Sequence, residues 1–129
     1  MQLHQPQLAF LETVESAMNT QLRQHVQMVI EHLVAGEFAE LERLPNGQRL
    51  SAQEMAQVIS DYGRKLVVPP NDAFGLMDVV EVRNSKPPQW SINMPLWTHE
   101  EGRSDLSIVV TLIADGEDFR IELDDIHVL

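Results

Sequence analysis

The sequence predicts an α+β domain in which a long N-terminal helix, continuous or split in two, and a second, capped helix pack on a four-stranded antiparallel meander sheet. Three observations carry that expectation. Apolar residues recur at helical spacing near the start of the chain, a complete capping box announces a second helix, and four alternating segments crowd the second half. Helices placed before a sheet whose connections are too short for helical crossovers give segregated layers rather than an alternating α/β sheet.

In the first element, Leu11, Val14, Met18, Leu22, Val26, Val29 and Leu33 follow one another at spacings of 3, 4, 4, 4, 3 and 4. That is one buried stripe on a helix. Pro6 suits a first turn and Gly36 the position past a C-terminus, so the helix spans about residues 6–35, with Asn19-Thr20 as the place where it would divide. Glu37 to Leu44 form a short helical extension, and Pro45-Asn46-Gly47 a turn. Ser51-Ala52-Gln53-Glu54 reads as a capping box, serine hydroxyl and glutamate each answering an unpaired backbone amide. The helix it opens ends near Gly63 and presents Met55, Val58, Ile59 and Tyr62 to the core.

After Leu66-Val67-Val68, the pair Pro69-Pro70 stops regular structure. Strands are expected at about 76–83, 89–97, 106–113 and 119–128, joined through Asn84–Pro88, Thr98–Asp105 and Ala114–Asp118. The second strand turns Trp90, Ile92, Met94 and Leu96 inward, which leaves Trp97 on the other face. Matching the apolar faces of the last two strands puts Leu112 opposite Phe119 and Leu106 opposite Asp125.

With 129 residues, 43% of them hydrophobic and 22% charged, the chain suits a single domain over 1–129, helical over 6–63 and sheet over 75–128. The absence of cysteine excludes disulfides, thiolate nucleophiles and cysteine-ligated zinc. No apolar run approaches the roughly 20 residues of a membrane span, and the N-terminus lacks a signal peptide's basic and apolar regions. A soluble, cytoplasmic protein is the expectation. A net charge of −11 without a basic stripe opposes nucleic-acid binding and favours a basic protein partner.

Charge also points to a place. His99 to Leu129 hold nine acids against Arg103 and Arg120, which concentrates seven of the eleven net negative charges in the last 31 residues. Strand reversal brings the Thr98–Asp105 loop beside Asp124 to His127, so Trp97, His99, Glu100, Glu101, Arg103, Asp105, Asp124, Asp125 and His127 form the candidate partner-binding end of the sheet. Arg103 would pair with Asp105 or Asp124. If alternation runs unbroken, Asp125 and His127 face the core and need a pocket, where the carboxylate would orient the imidazole as a general acid or base with Asp105 nearby. If a bulge falls at Asp124-Asp125, Ile126 and Val128 return to the core and Asp125 and His127 face solvent. His99, Glu100, Glu101, Asp105, Asp125 and His127 have ligand chemistry, but their spacing matches no metal motif, and neither a metal nor a cofactor is expected.

Asp61-Tyr62-Gly63, Trp97-Thr98-His99-Glu100-Glu101-Gly102-Arg103-Ser104-Asp105-Leu106 and Asp124-Asp125-Ile126-His127-Val128-Leu129 resemble a family of small uncharacterised bacterial domains, over about residues 20–129. The order of elements is similar to the cone-shaped nuclear transport factor two-like and cystatin-like folds. That resemblance implies small-molecule isomerases and dehydratases, ligand binders, or immunity proteins that neutralise bacterial toxins. The first expectation is a non-enzymatic acidic binding protein, an immunity protein facing a basic toxin. The alternatives are a cone-fold binder or enzyme using Asp125 and His127, and a homodimer formed through the outward face at Ser91, Asn93, Val109 and Thr111.

Overall fold

The structure is a computed structural model that describes residues 4–45 and 48–129, with side chains described from Met18 onward. The expected stripe positions Leu11 and Val14, and Asn46-Gly47 of the expected turn, lie outside that description. Helix α1, His4–Val34, runs without a break. Asn19 and Thr20 are both exposed, so their weak helix propensity is not compounded by any loss of packing, and the buried phase passes from Met18 to Leu22 undisturbed. The helix ends in a Schellman motif, with Gly36 at φ 74°, its amide on the Leu33 carbonyl and the Glu37 amide on the His32 carbonyl.

Helix α2, Phe38–Glu42, is the expected short extension. Helix α3, Ala52–Tyr62, begins with both halves of the capping box: the Glu54 amide donates to Ser51 Oγ at 3.0 Å and the Ser51 amide to Glu54 Oε1 at 3.1 Å. Gly63 ends it at φ 75°, a left-handed conformation that a side chain would strain.

The sheet has five antiparallel strands where four were expected. They are β1 (Leu66–Val67), β2 (Asp78–Glu81), β3 (Gln89–Thr98), β4 (Gly102–Asp115) and β5 (Asp118–Val128), and a 3₁₀ helix, Asn71–Leu76, precedes β2. The added strand is only two residues long and carries no alternation to read. It pairs with β3 at Trp97 and Thr98, β2 pairs with β3 from Trp90 to Asn93, and β4 lies between β3 and β5, so the sheet stays open.

Two irregularities govern the site. The run expected as a loop from Thr98 to Asp105 shrinks to a three-residue turn, because Gly102 adopts φ 73° and β4 starts there. The register of β4 against β3 then shifts between Pro95 and Trp97. At that shift the Ser104 hydroxyl, buried, donates to the Leu96 carbonyl at 2.8 Å and accepts the Leu106 amide. The second shift lies between Val109 and Val110 of β4, where Val110 faces Leu123 and Val109 faces Asp125. Asp124 is the extra residue. Leu112 therefore faces Ile121, and Leu106 faces Val128, two and three positions from the expected register.

One apolar cluster joins the layers. Leu22, Val26, Val29, Ile30 and Leu33 of α1 meet Ile92, Met94, Leu96, Leu106, Ile108, Val110, Leu112 and Leu123 of the sheet, every one at most 2% exposed. Trp90, expected in the core, is only half-buried, its ring edge-on to Phe119 at the hairpin end.

Candidate functional site

The turn between β3 and β4 is tied to α3 and β1 by its own acids. Glu100 Oε1 accepts the Lys65 amide at 3.1 Å, and the His99 amide donates to the Lys65 carbonyl at 2.8 Å. Glu101 takes the Tyr62 hydroxyl on both carboxylate oxygens at 2.9 Å, and the Thr98 hydroxyl at 3.0 Å. Tyr62 in turn accepts the Asp105 amide at 3.3 Å, so one phenol spans the turn and the start of β4. Backbone amides, its own and that of Lys65, hold the Glu100 carboxyl below the usual carboxylate range. All of these donors are neutral. They fix the carboxylates without an ion pair, although Arg64 is near enough to attract Glu100 weakly.

On the outward side of β5 a second cluster forms around the bulge. Glu122 lies opposite Thr111, and its Oε1 receives Arg49 Nε at 2.7 Å. Thr111 donates its hydroxyl to Asp124 Oδ2 at 2.6 Å, while Asp124 Oδ1 lies 3.4 Å from Arg49 Nε without hydrogen-bond geometry. The two carboxyls also contact each other. Burial, followed by the Glu122 contact, pushes the Asp124 carboxyl up to about 6, whereas hydrogen bonds from Asp124 and Arg49 hold Glu122 down. The pair thus shares a proton in mildly acidic solution. Gln48 completes the cluster by taking the place of a neighbouring strand: its side-chain amide donates to the Ile121 carbonyl and accepts the Leu123 amide on the free edge of β5.

The bulge decides the phase of Asp125 and His127. Ile126 returns to the core at 3% exposed, and Asp125 and His127 turn outward, opposite Val109 and Ser107. Val128, expected inward on the bulged reading, is instead 56% exposed where the strand ends. The imidazole Nδ1 lies 3.1 Å from Asp125 Oδ2, an ion pair when the histidine is protonated. Both side chains face away from the filled space beneath α1, where the pocket alternative needed them. Asp105 is exposed, and neither it nor Arg103 forms an ion pair among the described residues; Asp124 takes Arg49, not the expected Arg103.

Trp97 is half-buried and packs against the core cluster. At the hairpin, Asp115 pairs with Arg120 at 3.8 Å, Asp118 lies 3.5 Å from His25, and Glu117 is exposed. Of the outward positions expected to form a dimer, Asn93 is exposed and Ser91, Val109 and Thr111 are half-buried. Exposed apolar side chains gather elsewhere, on β2 and its flanks at Leu76, Val79, Val80 and Val82, with Val68, Val128 and Leu129 exposed apart from them. Among the described residues, no three His, Asp or Glu are arranged to hold a metal ion.

Sequence reasoning therefore located the acids but missed their partners. Tyr62 read only as an apolar face position, and its alternation with Asp61 and Gly63 carries no hint of a hydroxyl role. Gln48 and Arg49 follow a turn and have no periodic signal at all. No helix among the described residues is long and apolar enough to cross a membrane. No curated protein and no solved structure matches the chain. A family model, described as a domain of unknown function (DUF7668), matches residues 30–129, from the last turns of α1 through the whole sheet, and the chain belongs to that family.

Proposed function

We propose that this domain is a non-enzymatic binding module whose acidic sheet end engages a basic protein partner, as an immunity protein engages a toxin with a positive, nucleic-acid-binding surface. The observation that carries this reading is the way Glu100 and Glu101 are held. Neutral amide and hydroxyl donors orient both carboxylates at an exposed turn and leave their charge intact. Asp105 and Asp125 add exposed charge on the adjoining strands, opposed by no lysine or arginine ion pair. Charges displayed rigidly steer a complementary partner and lose little side-chain freedom on binding. Core side chains pack the sheet face under α1 where Asp125 and His127 would have needed a pocket, which supports a surface role for that pair.

The test measures the association rate of every protein retained at low salt by the immobilised domain, using wild type and an Asp105→Lys/Asp125→Lys double variant. Among the described residues, the Asp105 side chain makes no hydrogen bond or ion pair and that of Asp125 touches only the neighbouring His127, both at exposed positions, so the variant changes charge with little effect on packing. At least one basic partner should associate roughly tenfold more slowly with the variant and show a flatter salt dependence. The reading fails if nothing is retained, or if every retained protein binds the variant as fast as wild type.

A further inference from the structure

A concavity lies away from the acidic end, between α1 and the 3₁₀ turn ahead of β2. It has a volume of about 360 Å³. That is near the lower end of the roughly 300–1,000 Å³ range of small-molecule sites. Leu22, Phe74, Met77 and Val79 give it an apolar lining, and Asn19 and Arg23 supply the polar groups. Leu22 and Phe74 belong to the core cluster at 2% and 5% exposed, so the floor is rigid, while Val79 stands 39% exposed at the rim.

Arg23 is held in an unusual way for this chain. Its Cζ sits 4.7 Å above the centre of the Phe74 ring, and Nη2 donates to Asn71 Oδ1 at 3.4 Å. Stacking and one hydrogen bond orient the guanidinium and leave most of its five N–H donors unused. In a protein with 20 acids against 9 bases, Arg43, Arg49 and Arg120 find carboxylates, whereas Arg23, like Arg64, Arg83 and Arg103, forms no ion pair among the described residues; of these four, Arg23 is the one whose guanidinium is stacked on a ring. A neutral asparagine stands where an acid would have quenched it.

We infer that this concavity binds a small apolar monocarboxylate, a medium-chain acyl or aryl acid. Arg23 takes the carboxylate through its planar fork, and Leu22, Phe74 and Met77 take the hydrocarbon. The net charge of −11 favours a single negative charge over a phosphate or other polyanion. Arg23 and Leu22 precede the segment matched by the family, so the site joins this chain's own α1 to the family's 3₁₀ turn and β2.

The experiment labels the methionine methyl groups with carbon-13 and titrates the protein with octanoate and, separately, with 1-octanol. Met77 lines the concavity, whereas Met55 is fully buried on α3, away from it, and serves as the internal control. Octanoate should move the Met77 signal saturably and leave Met55 in place. Its affinity should exceed that of octanol by about tenfold or more, and Arg23→Met should weaken octanoate by at least that factor while changing octanol binding far less. If Arg23→Met disturbs the Met55 signal, Arg23→Gln, a shorter and neutral polar side chain, replaces it. The inference is overturned if millimolar octanoate leaves Met77 unmoved, if octanoate and octanol bind equally to wild type, or if inorganic phosphate competes with octanoate on equal terms.

Discussion

Asp124→Asn should make the domain's stability much less dependent on pH between about 4 and 6. The Asp124 carboxyl has an ordinary pKa of 3.8 and is raised to about 6 in the fold, chiefly by burial and then by Glu122. Between those values the folded protein keeps a proton that the unfolded chain has lost. Stability therefore falls as pH rises through that window and levels off above it. A fully shielded carboxyl with this shift would cost about 3 kcal/mol at neutral pH. Asp124 keeps 16% of its side-chain exposure, and screening reduces the expected cost to roughly 1–2 kcal/mol. Glu122 works in the opposite sense, since its depressed pKa contributes stability above its ordinary value of 4.5 that is lost as pH falls through its folded value. The two effects thus occupy different pH ranges. An asparagine amide can donate to Glu122 as the protonated acid does, without the later ionisation. Urea denaturation followed by tryptophan fluorescence from pH 4.5 to 7 should show the variant gaining roughly 1–2 kcal/mol on wild type across that range. Parallel curves for the two proteins would refute the shared proton.

Tyr62→Phe removes the hydroxyl that joins Glu101 to the Asp105 amide and should cost about 1 kcal/mol in urea denaturation. Because it loosens Glu101 without changing charge, it should also speed dissociation of a basic partner and leave the association rate unaltered. Ser51→Ala should lower stability by about 1 kcal/mol, and Ser51→Thr, which keeps the cap, by a few tenths at most, both read from denaturant midpoints.

The parts of the fold that the sequence made legible are those where one physical rule acts alone. The capping box of α3, the glycine ends of α1 and α3, and the inward faces of β4 and of β3 from Ile92 to Leu96 follow from local hydrogen bonding and two-residue alternation, and the structure contains them. The exceptions arise where two rules compete. Asn19-Thr20 favours a helix break, but the stripe on either side stays in phase, and packing prevails. Leu66-Val67 is too short to carry a pattern and becomes a strand only because the end of β3 offers an unpaired edge. Thr98 to Asp105 reads as a loop by polarity alone. It becomes strand because Ser104 satisfies the interrupted ladder with its hydroxyl and Gly102 permits a tight turn. Arg49 and Gln48 were illegible in principle, since each meets β5 across more than 70 residues of sequence.

A count of acids treats every carboxylate alike, and the structure separates them by what holds them. Glu122 and Asp124 are answered by Arg49 and by a shared proton, so this pair contributes little field at mildly acidic pH and gains charge only as Asp124 ionises. Glu100 and Glu101 are answered chiefly by amides and hydroxyls, which supply partial charges, with a weaker attraction from Arg64 at Glu100 and no ion pair at either. The dipoles lower the cost of ordering these carboxylates, but a partner's lysine or arginine still meets a full negative charge. The same reasoning makes the Asp124 bulge more than a change of phase. By turning Asp125 and His127 outward it extends the charged surface along β5, and by aiming Asp124 at Thr111 and Glu122 it withdraws one acid from that surface in a pH-dependent way. The negative field over the outward face of β5 therefore strengthens as pH rises through about 6, and a basic partner that reaches Asp125 and Glu122 should bind more tightly above that value than below it, whereas one confined to the Glu100–Glu101 turn should not.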